Sequence, residues 1–189
     1  MKATELVKSR RSIKEWEPLG VSRETIEALL EAAAHAPNHH LSQPWRFIVV
    51  TGQAKDRLAA ARGRAKASGF KDPGSPEAQS AGERARAEMA EAAAAIVVTC
   101  GQVEDPIRAR EDLCATAAAA ENFCIAACGE GLGTFWTTGP LAGSPELRPM
   151  LEIPEDETIV AILLLGYPAS VPPVRRRKPV AEVTRWVER

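Results

Sequence analysis

Between about Asp105 and Cys128 the chain reads as one long helix with almost no polar side. Ala115, Ala118, Ala119, Asn122, Ala126 and their neighbours leave it apolar nearly all round. A helix of that kind sits at the centre of a fold, because a peripheral one needs a solvated face. Its small residues also let another backbone approach closely. The rest of the fold must therefore cover this helix. At 189 residues the chain can bury a core unaided. With no repeat and no low-complexity linker, residues 1–189 are expected to form a single domain.

Strands and further helices alternate around it. Leu6 lies in a short opening helix that ends near Arg10. Ser22 is a good N-cap for a second helix, with Ile26, Leu29, Leu30 and Ala33 at helical spacing and Pro37 ending it. Arg46–Thr51 reads as a strand closed by Gly52, and 54–67 has helical composition. Residues 68–76, rich in glycine and proline, read as a mobile loop. Ser75-Pro76-Glu77 starts the next helix, which is expected to run through Ala94. The almost wholly apolar strand 95–100 should be buried on both faces. Gly129, Gly131 and Gly133 break the long helix. Thr134–Thr138 then reads as a strand ended by Gly139-Pro140, Ser144 as a cap, 158–165 as a last strand, and Pro172-Pro173 as the start of an extended tail. The pattern is α+β.

The charge balance narrows the function. A net charge of −1 with 45% hydrophobic residues argues against disorder and against bulk nucleic-acid binding. No apolar run is long enough to cross a bilayer, and Met1–Glu5 lacks a signal-peptide core, so no membrane partner is expected and a cytoplasmic location is the default. Cys100, Cys114, Cys124 and Cys128 lack metal-site spacing and read as small apolar core residues. Both a Gly-x-Gly-x-x-Gly turn after a strand and a Walker-type loop are missing. Any phosphate must be held by side chains.

Two cationic clusters stand at opposite ends of the chain, Arg10-Arg11-Ser12-Ile13-Lys14 and Arg175-Arg176-Arg177-Lys178. Guanidinium forks grip phosphate in bidentate fashion and a serine hydroxyl adds a donor, so the two ends can converge on one anion. Solvated surface is the plain alternative for either cluster alone. Between them lies the turn-rich Ala36-Pro37-Asn38-His39-His40-Leu41-Ser42-Gln43-Pro44-Trp45, with Trp45 expected to pack in the core.

Taken in order, these features resemble the nitroreductase family of FMN-dependent oxidoreductases. The resemblance rests on Arg10–Lys14, on Pro37-Asn38 through Gln43-Pro44-Trp45-Arg46-Phe47, on Gly131-Leu132-Gly133-Thr134, on Leu165-Gly166-Tyr167-Pro168 and on Arg177-Lys178-Pro179. It implies a nitroreductase-like sandwich, a mainly antiparallel sheet flanked by helices, assembled as an intertwined homodimer with FMN in the interface. It further implies phosphate and ribityl contacts from Arg10 and Ser12 beside Arg11, and a Lys14 ammonium at the flavin pyrimidine edge as the catalytic cation. Pro37, Asn38 and His39 would come from the other subunit. Trp136, Thr137, Thr138 and Gly139 would lie against the isoalloxazine, and Arg175 and Arg177 would complete the phosphate grip. Read this way, electrons pass from NADH or NADPH through FMN to a small-molecule acceptor such as a nitroaromatic or quinone. The alternative is a flavin-binding carrier or sensor with little turnover. Trp136 also reads as a core residue, and Asp112 and Glu121 read as interface partners or solvated acids. The chain departs from larger members at Leu41-Ser42 and in the short 67–80 region, where their additional flavin-edge contacts lack a clear counterpart.

Overall fold

A computed structural model describes residues 2–188. Its sheet has four strands in the order β1-β2-β4-β3, every pair antiparallel. The strands are β1 (Trp45–Val50), β2 (Ala94–Gly101), β3 (Gly133–Thr137) and β4 (Glu157–Gly166). The principal helices are α1 (Ala3–Ser9), α2 (Arg23–Ala34), α3 (Gly52–Ser68), α4 (Pro76–Ala90) and α5 (Pro106–Gly129). Three short ones follow, α6 (Gly139–Ala142), α7 (Leu147–Leu151) and α8 (Val180–Val183). The expected α+β sandwich is what the chain forms.

Strand alternation separates two cores. Ala95 and Val97 of β2 with Ile162 and Leu164 of β4 face Leu58, Ala61 and Met89 of α3 and α4. Ala94, Ile96 and Val98 with Ala161, Leu163 and Leu165 face Leu29 of α2 and Ala120, Phe123 and Cys124 of α5. Period-two exchange of faces requires this division. β2 is buried along nearly its whole length, as its continuous apolar run demands. One extra residue, Val160, interrupts the β2–β4 ladder between the Val98–Ala161 and Thr99–Ile159 pairs.

Helix ends follow local chemistry. Ser22 accepts from the Thr25 N–H, Ser75 from Ala78, and Asp105 from Ile107 and Arg108. Several expected boundaries move. Gly52 begins α3 at φ +54 instead of closing β1. α4 stops at Ala90, and Ala94 already pairs with Leu165 in the sheet. The α7 cap position is Glu146, whose N–H donates to Ser144 Oγ. Asp72 knits the 69–75 connection, accepting from Gly74 N–H on its side chain and from Ser75 on its carbonyl.

The α5 helix is less enclosed than its sequence implies. Its Ala115–Ala119–Phe123–Ala127 side is buried on the sheet, while Leu113 and Cys114 are exposed. Cys114 is thus not a core residue, and Cys128 is only half-buried. Cys124 is core, and burial pushes its thiol up to about 11.

Candidate functional site

The Arg10–Lys14 segment is placed by two missing side chains. Gly133 and Gly166 pair across β3 and β4. A Cβ on Gly133 would lie 2.5 Å from Ile13 Cγ1, and one on Gly166 would lie 2.9 Å from the Trp16 ring. Ile13 and Trp16 therefore seat directly on bare backbone, and both are buried. Backbone pairing fixes the register: Ser12 bridges to Thr134 in parallel, Ile13 N–H donates to Thr134 O at 2.9 Å, and Glu17 N–H donates to Tyr167 O. Alternation along this extended stretch turns Ile13 inward and Ser12 and Lys14 outward.

Lys14 thereby enters a cavity of about 290 Å³. Its wall is the end of β3 and the start of α6 (Phe135, Thr137, Thr138, Gly139), with Arg62 and Lys66 from α3 and Arg84 and Glu88 from α4. Four cations thus face one carboxylate. Glu88 binds in two directions, with Oε1 3.6 Å from Lys14 Nζ and Oε2 2.7 Å from Arg62 Nη2. The Glu88 carbonyl accepts from Trp16 Nε1 at 2.9 Å. Lys14 lies 4.8 Å and Arg62 5.9 Å from the centre of the Phe135 ring. One glutamate therefore ties the N-terminal segment, α3 and α4 together around an aromatic floor.

The α3–α4 crossing that sets this geometry depends on Gly63 and Gly82. A Cβ on Gly82 would lie 2.8 Å from the Gly63 carbonyl oxygen, and the reverse distance is 3.0 Å. The backbones touch, so Arg62 and Arg84, on either helix near the crossing, reach the same cavity.

The other expected site residues lie elsewhere. Arg10 pairs with Glu121 of α5 at 3.2 Å. The Arg11 guanidinium donates to the carbonyls of Lys8, Ser9 and Arg10, closing the end of α1. Trp136 points to the opposite sheet face and packs with the α2–α5 core. Arg175 and Arg177 are exposed on the extended tail.

Pro37, Asn38 and His39 belong to a second region, beside the N-terminal half of α5. Asn38 Nδ2 donates to Ala36 O, and Asn38 Oδ1 accepts from Gln43 N–H. His39 Nδ1 lies 2.8 Å from Glu111 Oε2, and its ring stacks on His40 at 4.0 Å. Buried Asp112 accepts from Ser42 at 2.8 Å, so it is not a solvated acid. His40, Leu41 and Gln43 hold φ values of 51, 53 and 43, three left-handed residues in four positions. Such backbone costs on the order of 1–3 kcal/mol per residue and collects at functional loops. His39, His40, Glu111 and Asp112 line a cavity of about 530 Å³, which shares no residue with the Lys14 cavity.

Sequence reading missed Arg62, Lys66, Arg84 and Glu88. On alanine-rich helices their charges look like any solvated face. The available signal was a glycine in the interior of each helix, Gly63 and Gly82, beside those charges.

A four-stranded antiparallel sheet between helical layers, with a basic segment seated against its edge strand, defines a nitroreductase-like α+β protein. The chain belongs to the nitroreductase family, whose model matches residues 7–167. It is 27% identical over 183 residues to the candidate NAD(P)H nitroreductase YfhC of Bacillus subtilis strain 168, covering 94% of this chain and 90% of that one. It is 30% identical over 169 residues to the candidate NAD(P)H nitroreductase YdjA of Escherichia coli K12, covering 89% of each. Among solved structures, a nitroreductase-like family protein of Bacillus cereus superimposes with a TM-score of 0.86 at 27% identity, covering 100% of this chain and 97% of that one. A candidate nitroreductase of Desulfovibrio desulfuricans, solved in complex with FMN, gives 0.75 at 26% identity, covering 97% and 95%.

Proposed function

We propose that this chain is an FMN-dependent oxidoreductase that passes electrons from NADH or NADPH to a nitroaromatic, quinone or similar small acceptor. The observation that carries this reading is the cavity at the β3–α6 corner, where Lys14 and Arg62 stand over the Phe135 ring beside Thr137, Thr138 and Gly139. The donor set fits a flavin: an apolar floor for a flat ring, and ammonium and guanidinium groups for its electron-rich pyrimidine edge. When bound, FMN supplies the two-electron chemistry. Lys14 stabilises negative charge at the ring edge, Glu88 holds Lys14 in place, and the 137–139 backbone borders the ring.

The reading extends to the phosphate and to assembly. Arg10 and Ser12, with Arg175 and Arg177 brought in by the tail, would hold the FMN phosphate. Arg11, already engaged with α1, supports that corner. Pro37, Asn38 and His39 lie away from the Lys14 cavity, which fits a homodimer in which this strained loop serves the partner's flavin. Residues 1–189 would act as one FMN-binding domain in the cytoplasm, where its nicotinamide donors are found. Among the described residues no helix is long and apolar enough to cross a membrane.

A spectrum tests the proposal. The protein, supplied with FMN and gel-filtered, should retain yellow absorbance, and NADH or NADPH should bleach it under anaerobic conditions. A colourless protein removes every flavin reading. A yellow protein that neither donor bleaches leaves the carrier or sensor.

A further inference from the structure

We propose that Lys66 and Arg84 form an anion-selecting rim on this cavity, so that the redox partner it favours carries an oxyanion on a flat ring or cofactor. The proposal rests on the flavoprotein reading above and deepens it.

The argument is one of charge pairing on two helices. Arg64 of α3 pairs with Glu146, and Arg86 of α4 with Glu83. These arginines lie outside the cavity, and each has its own carboxylate. Lys66 and Arg84 line the cavity, yet its one carboxylate, Glu88, is committed on both oxygens to Lys14 and Arg62. Arg84 has only a neutral partner, donating to Ser80 Oγ at 2.6 Å. Among the described residues no salt bridge reaches either Lys66 or Arg84. Two cations about a turn from a pair that already shares the one carboxylate, facing the same space, make a site for a negative group. The Arg84 fork suits a planar oxyanion in bidentate fashion, and Lys66 adds a point charge.

The surrounding surface states the rest of the ligand. Ala81, Ala85, Phe135, Pro140 and Leu141 give the cavity an apolar wall. An oxyanion at the rim and an apolar plane inside describe an aromatic carboxylate acceptor. They equally describe a nicotinamide donor with one more phosphate, which is what separates NADPH from NADH. The shared chemistry is an oxyanion at fixed reach from a flat group.

Calorimetry at low salt distinguishes the sources, with the nitro probes on purified protein with and without added FMN and the nicotinamides on FMN-free protein, where no hydride transfer adds heat. The probes are 4-nitrobenzoate against its neutral amide, and NADPH against NADH. One anionic member should bind about ten-fold tighter than its partner or better. That preference should shrink as salt is raised and vanish in the Lys66→Gln/Arg84→Gln double variant, whose FMN affinity stays at the parent value. Preference confined to 4-nitrobenzoate assigns the rim to the acceptor, and preference confined to NADPH assigns it to the donor. Equal binding within both pairs overturns the proposal. So does loss of FMN affinity in the double variant, which would make these cations part of the cofactor site. Failure to take up FMN at all would sink the flavin reading separately, while the anion preference is still read on the cofactor-free protein.

Discussion

Glu88 is the residue on which the candidate site turns. It sits between two cations that would otherwise repel each other over the same ring. Its pairing with Lys14, whose side chain is 55% exposed, is worth at most about 1 kcal/mol to folding. Its electrostatic effect on a bound group is the larger consequence. Lys14→Met should retain FMN but lower its midpoint potential, because a positive charge that favours the reduced anion is gone. Glu88→Gln should raise the potential, because the same cation loses its counter-charge. For a two-electron couple about 30 mV corresponds to roughly 1.4 kcal/mol, and one partly screened charge lies in that range. Redox titration against dyes of known potential measures both. Shifts of the same sign, or none at full flavin occupancy, would remove Lys14 from the ring edge. Lys14 was legible in the sequence, since an outward residue two past Ser12 follows from alternation. Glu88 was not, because a glutamate between alanine and methionine on a helix has no distinguishing local pattern.

At the level of elements, the site exists because glycines allow two kinds of close approach: the α3 and α4 backbones touch, and the Ile13 and Trp16 side chains seat on bare strand backbone. The α3–α4 pair gives the sharper test, since two effects of opposite sign compete at Gly82. Glycine in a helix interior costs about 1 kcal/mol against alanine, so Gly82→Ala gains that much in propensity. The new Cβ, however, would sit 2.8 Å from the Gly63 carbonyl oxygen and 3.3 Å from the Ala67 Cβ. The nearest obstacle is backbone, which cannot swing aside, and overpacking of this kind costs about 1–3 kcal/mol. Because the obstacle is backbone, overpacking wins: Gly82→Ala should be destabilised by up to about 2 kcal/mol and melt lower by up to several degrees. An unchanged or raised midpoint in thermal unfolding would show that the helices separate freely and that the crossing does not set the cavity. The strands and long helices were legible from periodicity and caps. The crossing was not, because helix contact through glycine depends on which faces meet, and that is a tertiary fact. The same limit hid the bare slot under Ile13 and Trp16, although Gly133 and Gly166 both stood in the motifs that carried the family resemblance.

For the molecule as a whole, the unsolved surface is the tail. Every residue from Val171 to Glu188 is exposed. Val174 is 72%, Val180 74% and Trp186 82% accessible. Burying a valine or larger apolar side chain is worth about 1.5–3 kcal/mol, so a stretch carrying several of them in water has a strong drive to find cover. Along the outer side of α5, Ile107 and Leu113 are also exposed, and the strained loop at His40–Gln43 lies beside that helix. The homodimer proposed above would satisfy all three: a second copy would cover the tail, close the helix, and bring Pro37–His39 to a cavity that the same chain does not offer it. The sequence announced an extended, proline-led, basic tail and a helix too apolar for one layer. It could not say where the tail goes, because the cover we propose for it is a second copy and not part of this chain. Stable interfaces of this intertwined type bury more than about 2,000 Å², so sedimentation at micromolar concentration should find the full chain as a dimer. A chain ending at Ser170 keeps both sheet-face cores intact and should remain folded by circular dichroism. It should nonetheless sediment as a monomer and bind FMN at least ten- to hundred-fold more weakly, having lost Arg175 and Arg177 at about 1.5–3 kcal/mol for each charge-assisted contact. Arg177→Ala in the full chain separates the two roles: it should weaken FMN binding while leaving the dimer intact. A truncated chain that stays dimeric and binds FMN like the parent would leave the tail with neither task.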